Sequence, residues 1–168
     1  RQKNHDYLID IAAELVKREP KTLMLSIGEG ELRSEIEAKV ARLGLGDRVM
    51  FLGVRKDVSE LMLGAIDVLV LPSFLVCLPV VGIEAQAAGL PLVLSDTVTK
   101  ETEIIPGLLR YLSLSQSPSI WAETILAART NKLSIGEQQQ RLAAIAQSSF
   151  NIQSSVVALE QIYSHVSS

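Results

Sequence analysis

Short apolar runs alternate with amphipathic segments from one end of this chain to the other, and that order admits few folds. Thr22 to Gly28 (TLMLSIG), the run DRVMFLG ending at Gly53, and Asp67 to Ser73 (DVLVLPS) read as short strands, as do LPLVLSD ending at Asp96 and Leu109 to Leu114 (LRYLSL). Helical patterns lie between them. HDYLIDIAAELVKREP carries Leu8, Ile11, Ala12, Leu15 and Val16 at helical spacing and stops before Pro20. ELRSEIEAKVARLGL is amphipathic up to Gly44, DVSELMLGA starts a short helix at Asp57, and LPVVGIEAQAAG is closed by Gly89. SIWAETILAARTN follows the last strand, and the tail from Ser134 reads as two more helices, GEQQQRLAAIAQ and IQSSVVALEQIYSHV. Apolar strands that each lead into a helix imply a parallel sheet covered on both faces. The expected fold is α/β, a doubly wound parallel sheet forming one domain over residues 1–168. Ligands of such sheets bind beyond the carboxyl ends of the strands. Chemistry is therefore expected in the loops after Gly28, Gly53, Pro72 and Ser95.

With 48% hydrophobic and 21% charged residues, the chain has the composition of an ordered globular domain. Its net charge is −3 without a long basic run, which argues against broad recognition of nucleic-acid phosphates. The single cysteine, Cys77, cannot form an internal disulfide and suits a reducing compartment. No apolar run approaches the roughly 18 residues of a membrane span, and no signal peptide is expected. RQKNH at the start reads as the tail of a strand-to-helix loop, so a first strand is expected upstream of Arg1.

Several residues are candidates for a site. GEGEL, Gly28 to Leu32, resembles a phosphate-binding glycine loop, but Arg33 stands where that fingerprint needs a third glycine, and two glutamates would repel a pyrophosphate. Glu29 and Glu31 suit a helix N-terminus, where they complement its dipole. RQKNH has the opposite charge. Arg1 and Lys3 stand ahead of a helix N-terminus, where backbone N–H groups and a cation together make an anion site; taken alone, a surface lysine there needs no ligand. His5 suits a cap or first-turn position and His165 a solvated helix face. One cysteine and two distant histidines do not approach a zinc spacing, so no metal is expected. Glu84 is the sharpest candidate. It is expected one to two turns into the helix after Pro79, at the carboxyl edge of the sheet, beside Ala85, Ala87 and Ala88. A carboxylate there can accept hydrogen bonds from a pair of sugar hydroxyls, or it can face solvent. Spacing alone does not separate the two.

Together, QKNHDYLI, IGEGELR, DRVMFLGVRKDV, DVLVLPS and GIEAQAAGLPLVLSD occur in an order and spacing that resembles one family: the retaining glycosyltransferases of the two-domain GT-B class, family four (glycosyl transferases group 1). The likeness covers nearly the whole chain and is strongest to bacterial enzymes of capsule and exopolysaccharide synthesis. It implies a Rossmann-like sheet that is the C-terminal, donor-binding half of such an enzyme, without its first strand and without the N-terminal half that binds the acceptor. Lys3 matches the lysine that holds the donor diphosphate; the family's partner arginine lies upstream and is not Arg1. Leu78, Pro79 and Val80 match the turn that offers backbone N–H groups to the phosphates. Val54 and Arg55 match the loop whose backbone meets the nucleobase. Glu84 matches the second glutamate of the family's paired motif, which grips the ribose hydroxyls.

One stretch departs from the family. Where its pattern runs roughly Ser-Leu-Phe-Glu-Gly-Leu-Pro, this chain has SFLVCLP. Val76 takes the place of the first glutamate, which contacts the donor sugar, and Cys77 takes the place of a glycine. Valine neither accepts a hydrogen bond nor stabilises an oxocarbenium-like transition state, and a Cβ with sulfur crowds a place where glycine permits close approach. Three explanations compete: a relative that binds nucleotide without turnover, an altered or rearranged segment, and a different group serving the sugar.

The function implied is binding of a nucleoside-diphosphate sugar, a UDP-sugar above others, for transfer to a saccharide or lipid-linked acceptor, without cofactor or metal. The alternative is a non-catalytic nucleotide-sugar-binding or assembly module. A receiver-like regulatory domain would need an acidic phosphoacceptor at a strand end, which VLVLPS lacks. The implied partners are the donor, the N-terminal GT-B half and the acceptor, with no nucleic acid. The implied location is the cytoplasm, with any contact at the inner face of the membrane made through the missing half.

Overall fold

The computed structural model describes residues 2–75, 80–129, 135–148 and 150–151. Alternation of strand and helix follows the sequence reading in order: α1 (His5–Arg18), β1 (Met24–Ile27), α2 (Arg33–Arg42), β2 (Val49–Gly53), α3 (Val58–Gly64), β3 (Leu69–Leu71), α4 (Val80–Ala87), β4 (Leu92–Ser95), β5 (Leu109–Leu112), α5 (Pro118–Ala128) and α6 (Ile135–Ala146). A 3-10 turn, Lys100–Thr102, sits between β4 and β5. The expected final helix, Arg1 and His165 lie outside the described residues. The strands are shorter than their apolar runs. Asp67 to Ser73 contracts to the three residues Leu69–Leu71, because Pro72 has no N–H to continue a ladder.

Local chemistry sets several boundaries. Ser117 caps α5, its side-chain oxygen accepting from the Ile120 N–H, and Pro118 supplies the fixed φ of a first helical residue. Asn4 enters α1 with φ 54°, a left-handed conformation that asparagine tolerates. The helix after GEGEL begins only at Arg33, so Glu29 and Glu31 do not lie in its first turn, and Glu35 does. Glu29 turns instead to the Arg33 guanidinium at 2.8 Å. A direct ion pair replaces the expected dipole contact.

The strands form two wholly parallel units, β1–β2 and β3–β4–β5. β4 is the central strand of the larger unit and is buried along its whole length. Leu92 and Leu94 point to one face, joining Met62 of α3 and Ala85 of α4. Val93 points to the other face, joining Ile11 and Leu15 of α1 and Trp121, Ala122 and Ile125 of α5. Helices therefore cover both faces, as expected. Each of the Leu, Val, Ile and Met side chains contributes about 1.5–3 kcal/mol by leaving water, and Trp121 adds an edge-to-face contact with Tyr7 at 6.0 Å and a hydrogen bond from Nε1 to the Ser113 carbonyl.

α1 links the two units. Ile11 and Leu15 serve the core around Val93, while Ile9 and Ala12 pack with Ile36 and Val40 of α2 and Val49 of β2. Lys39 of α2 fastens that second core. Its stem is buried, and its Nζ donates to the Asp6 carbonyl at 2.8 Å and pairs with the carboxylates of Asp6 at 2.9 Å and Asp10 at 2.8 Å. Burial opposes the ammonium charge, but hydrogen bonds from it to Asp10 and Asp6 outweigh that effect and raise its pKa.

Among the described residues, β1 pairs only with β2, and β3 pairs with β4 but with no strand of the smaller unit. The N–H groups of Met24 and Gly28 donate toward β2 and that of Leu69 toward β4. By the alternation of a strand, those of Leu25, Ile27 and Val70 face the gap between the units. The residues of β1 and β3 are only half-buried although their sequences are as apolar as that of β4.

Candidate functional site: the carboxyl edge of the sheet

A cavity of about 1340 Å³ follows the gap between β1 and β3 and reaches the loops at the carboxyl ends of the strands. Leu8, Ile11, Leu25, Val68, Val70 and Ile125 supply apolar walls; Lys3, His5, Arg33, Arg55, Lys56 and Glu84 are among the polar residues toward the carboxyl ends, and Glu19, Lys21, Asp67 and Arg129 line the opposite end. The position agrees with the general rule for ligands of doubly wound sheets.

Three of the expected site residues line this cavity. Lys3 arrives from the segment ahead of α1, Arg55 from the loop after β2, and Glu84 from α4. Lys3 and Glu84 are exposed, and Lys3 makes no ion pair among the described residues. Val54 and Val80 flank this lining without joining it, with 76% and 64% of their surfaces exposed. Val76, Cys77, Leu78 and Pro79 lie outside the described residues. α4 begins at Val80, immediately after them.

At the carboxyl edge the charged residues are mostly basic, with local neutralisation. Arg55 is engaged by Asp57, with Nε donating to Oδ1 at 2.8 Å and a second close contact from Nη2 to Oδ2. That hydrogen-bonded pair raises the guanidinium pKa and holds the Asp57 carboxyl below its usual range. Arg33 is held by Glu29 and Glu37, both at 2.8 Å, and lies over the Phe51 ring. Burial, with the positive charge of Lys3 nearby, holds the His5 imidazole below its ordinary value, so it is mostly neutral at pH 7. Lys56 makes no ion pair among the described residues; the sequence reading passed over it although it follows Arg55 directly.

Glycine shapes the edge at one place. The Gly28 N–H donates to the Gly53 carbonyl at 2.8 Å, which joins the ends of β1 and β2. Gly53 has φ +65°, and a Cβ there would meet Glu29 Oε1 at 3.1 Å. A side chain at that position would therefore strain the backbone and press on the carboxylate that holds Arg33.

A parallel sheet between two helical layers, with a cavity at the strand ends, defines a Rossmann-like α/β domain. Among solved structures it resembles the GT-B glycosyltransferases: WaaG, a glycosyltransferase involved in lipopolysaccharide biosynthesis, superimposes with TM-score 0.73 at 25% identity over 94% of this chain and 43% of WaaG. Anabaena Alr3699/HepE in complex with UDP and glucose superimposes with TM-score 0.68 at 25% identity, over 99% of this chain and 45% of that one. Residues 1–149 match the family described as Glycosyl transferases group 1, and the chain belongs to that family. EpsF of Bacillus subtilis (strain 168), itself assigned only provisionally as a glycosyltransferase, is 38% identical over 161 residues, 96% of this chain and 41% of EpsF. The Vi polysaccharide biosynthesis protein VipC/TviE of Salmonella typhi is 36% identical over 91 residues, 54% of this chain and 16% of that protein. The chain thus spans less than half the length of the relatives it matches.

Proposed function

We propose that this chain is the donor-binding half of a bacterial glycosyltransferase and that it holds a nucleoside-diphosphate sugar, a UDP-sugar, at the carboxyl edge of the sheet. The observation that carries the reading is that Lys3 and Glu84, from two stretches far apart in the sequence, line one cavity that reaches the carboxyl ends of the strands. Lys3 would meet the diphosphate together with the N-terminus of α4, where free N–H groups and the helix dipole favour an anion. Glu84 would accept hydrogen bonds from the ribose hydroxyls. Because Asp57 occupies the Arg55 guanidinium, it is the exposed main chain at Val54 and Arg55 that would meet the base. UDP as the donor nucleotide is supported by HepE, which was crystallised with UDP and glucose.

In transfer, negative charge develops on the diphosphate as its bond to the anomeric carbon breaks. A fixed cation and N–H groups lower that barrier without reorganising, so the reading assigns the task to Lys3 and α4 rather than to a metal. Positioning of the acceptor would fall to a second half. The gap between β1 and β3 supports the view that more chain completes this unit. Gln2 lies at the carboxyl end of β3, its carbonyl accepting from the Phe74 N–H at 2.9 Å and its Nε2 donating to the Leu75 carbonyl at 2.8 Å. A parallel strand leading into Gln2 would fill the gap and pair with both edges.

Calorimetric titration with UDP, GDP and ADP tests the reading. UDP binding that Glu84→Ala abolishes supports it, and a chain that binds none of the three overturns it. Val76 and Cys77 favour a second reading, a nucleotide-sugar-binding module without turnover. It stands if Val76→Glu converts an inactive parent into an active one, and it falls if the parent already transfers sugar.

A further inference from the structure

Gln86 is two residues beyond Glu84 on α4, and its side chain has no exposed surface. Its Nε2 donates to the Gly82 carbonyl at 3.1 Å and to the Thr102 carbonyl at 2.7 Å. Its Oε1 accepts from the Ile104 and Ile105 N–H groups, each at 2.9 Å. All four hydrogen-bonding positions of the amide are therefore used, three of them on the segment 102–105 that connects β4 to β5. That segment is anchored in turn. The Thr102 hydroxyl donates to the Thr99 carbonyl, and the Ser95 and Thr97 hydroxyls tie the start of the connection to the Ser73 carbonyl at 2.6 and 2.8 Å.

Among the described residues, no other side chain of α4 makes a hydrogen bond that would fix its rotation. It packs through Gly82, Ala85 and the half-buried Val81, apolar contacts that are not directional, and just past its end Arg141 of α6 donates to the Gly89 carbonyl at 3.1 Å. Residues two apart on a helix point about 200° away from each other around the axis. Gln86 is therefore on the buried side facing 102–105 when Glu84 is on the exposed side lining the cavity. A turn of the helix that broke the Gln86 bonds would carry the Glu84 carboxylate away from the site.

We propose that Gln86 is a positioning residue for the nucleotide: its amide locks the rotation of α4 onto the segment 102–105 and so aims Glu84 at the ribose. This rests on the nucleoside-diphosphate reading above. It predicts that Gln86→Glu, ionised, repels the Thr102 carbonyl and releases the lock. Once protonated, the same side chain donates an O–H to Thr102 and accepts from Ile104 and Ile105 again. Burial raises the pKa of such a carboxyl, which brings the change into an accessible range.

The experiment is calorimetric titration of UDP into the unaltered chain and into Gln86→Glu at pH 8 and pH 5.5, with circular dichroism confirming the fold. Expected is a loss of tenfold or more in affinity at pH 8 relative to the unaltered chain, recovered to within threefold of it at pH 5.5. A folded variant that binds within twofold of the unaltered chain at both values overturns the proposal. So does a loss that is equal at both. Should Gln86→Glu fail to fold, Gln86→Met takes its place. A folded Gln86→Met that binds tenfold more weakly supports the proposal, and one that binds equally overturns it. Loss of the fold in both variants makes Gln86 a folding residue and rejects the positioning role. Failure of the unaltered chain to bind UDP is a different result, which refutes the donor reading itself.

Discussion

In the proposed site, Glu84 would serve the ribose, and Val76 stands where the family pattern has a glutamate for the donor sugar. If Glu84 accepts two hydroxyl bonds, Glu84→Ala removes charge-assisted contacts worth about 1.5–3 kcal/mol each. UDP affinity should then fall by at least about a hundredfold, read by calorimetry, with the thermal midpoint nearly unchanged because the carboxylate is exposed. Val76→Glu should tighten a UDP-sugar and leave UDP alone, since the restored carboxylate would reach the sugar and not the nucleotide; equal tightening of both would place residue 76 elsewhere. Glu84 stood out in the sequence as a lone carboxylate among small residues, and Val76 and Cys77 because a family pattern exists to compare them with. Gln86 did not. In IEAQAAG it looks like any other helical residue, and nothing in its neighbourhood of the sequence announces the amides of Ile104 and Ile105.

Among the elements, the junction of α1 with α2 depends on Lys39. Replacing it by methionine keeps the buried stem but removes three bonds from the ammonium. Because Asp6 and Asp10 still reach water, the expected cost is about 1–2 kcal/mol, measured as a shift in the urea midpoint at pH 8. The sign of the pH dependence follows from a raised pKa in the folded state. The contribution is fully present below the unfolded value of about 10.4 and is lost as pH rises through the higher folded value. The unaltered chain should lose its advantage over Lys39→Met above pH 10.5 or so; an advantage constant from pH 8 to pH 12 would contradict the ion-pair account. α5 offers a contrasting case. Trp121→Ala should cost about 3–5 kcal/mol, since the side chain is wholly buried where α1, α5 and β4 meet. A loss below about 1 kcal/mol would mean that this core rearranges around the cavity.

For the molecule as a whole, the gap between β1 and β3 decides most. In this chain the amides of Leu25, Ile27 and Val70 should exchange with solvent faster than those of Leu92 and Val93, because the former face the gap and the latter lie in the central strand. An apolar strand joined ahead of Gln2 should slow exchange at those three positions and raise the thermal midpoint. Unchanged exchange would mean that the gap is not a place for a strand. No helix among the described residues is long and apolar enough to cross a membrane.

What the sequence determined by itself is the succession of strands and helices, the doubly wound class and the family. Those depend on short-range signals: apolar period, Pro20 and Pro72 as stops, Gly89 as a cap, and motifs read in order. It also pointed to Lys3, Arg55 and Glu84, which all line the cavity that reaches the carboxyl ends of the parallel strands. The tertiary structure alone decided what depends on residues distant in sequence. It showed β4 to be buried where the equally apolar β3 is not, because burial is set by the neighbours on each side. It turned Glu29 from a helix dipole to the Arg33 guanidinium, since a direct ion pair at 2.8 Å outweighs a dipole a turn away. And it gave Gln86 four partners, three of them across a chain reversal that no local pattern encodes.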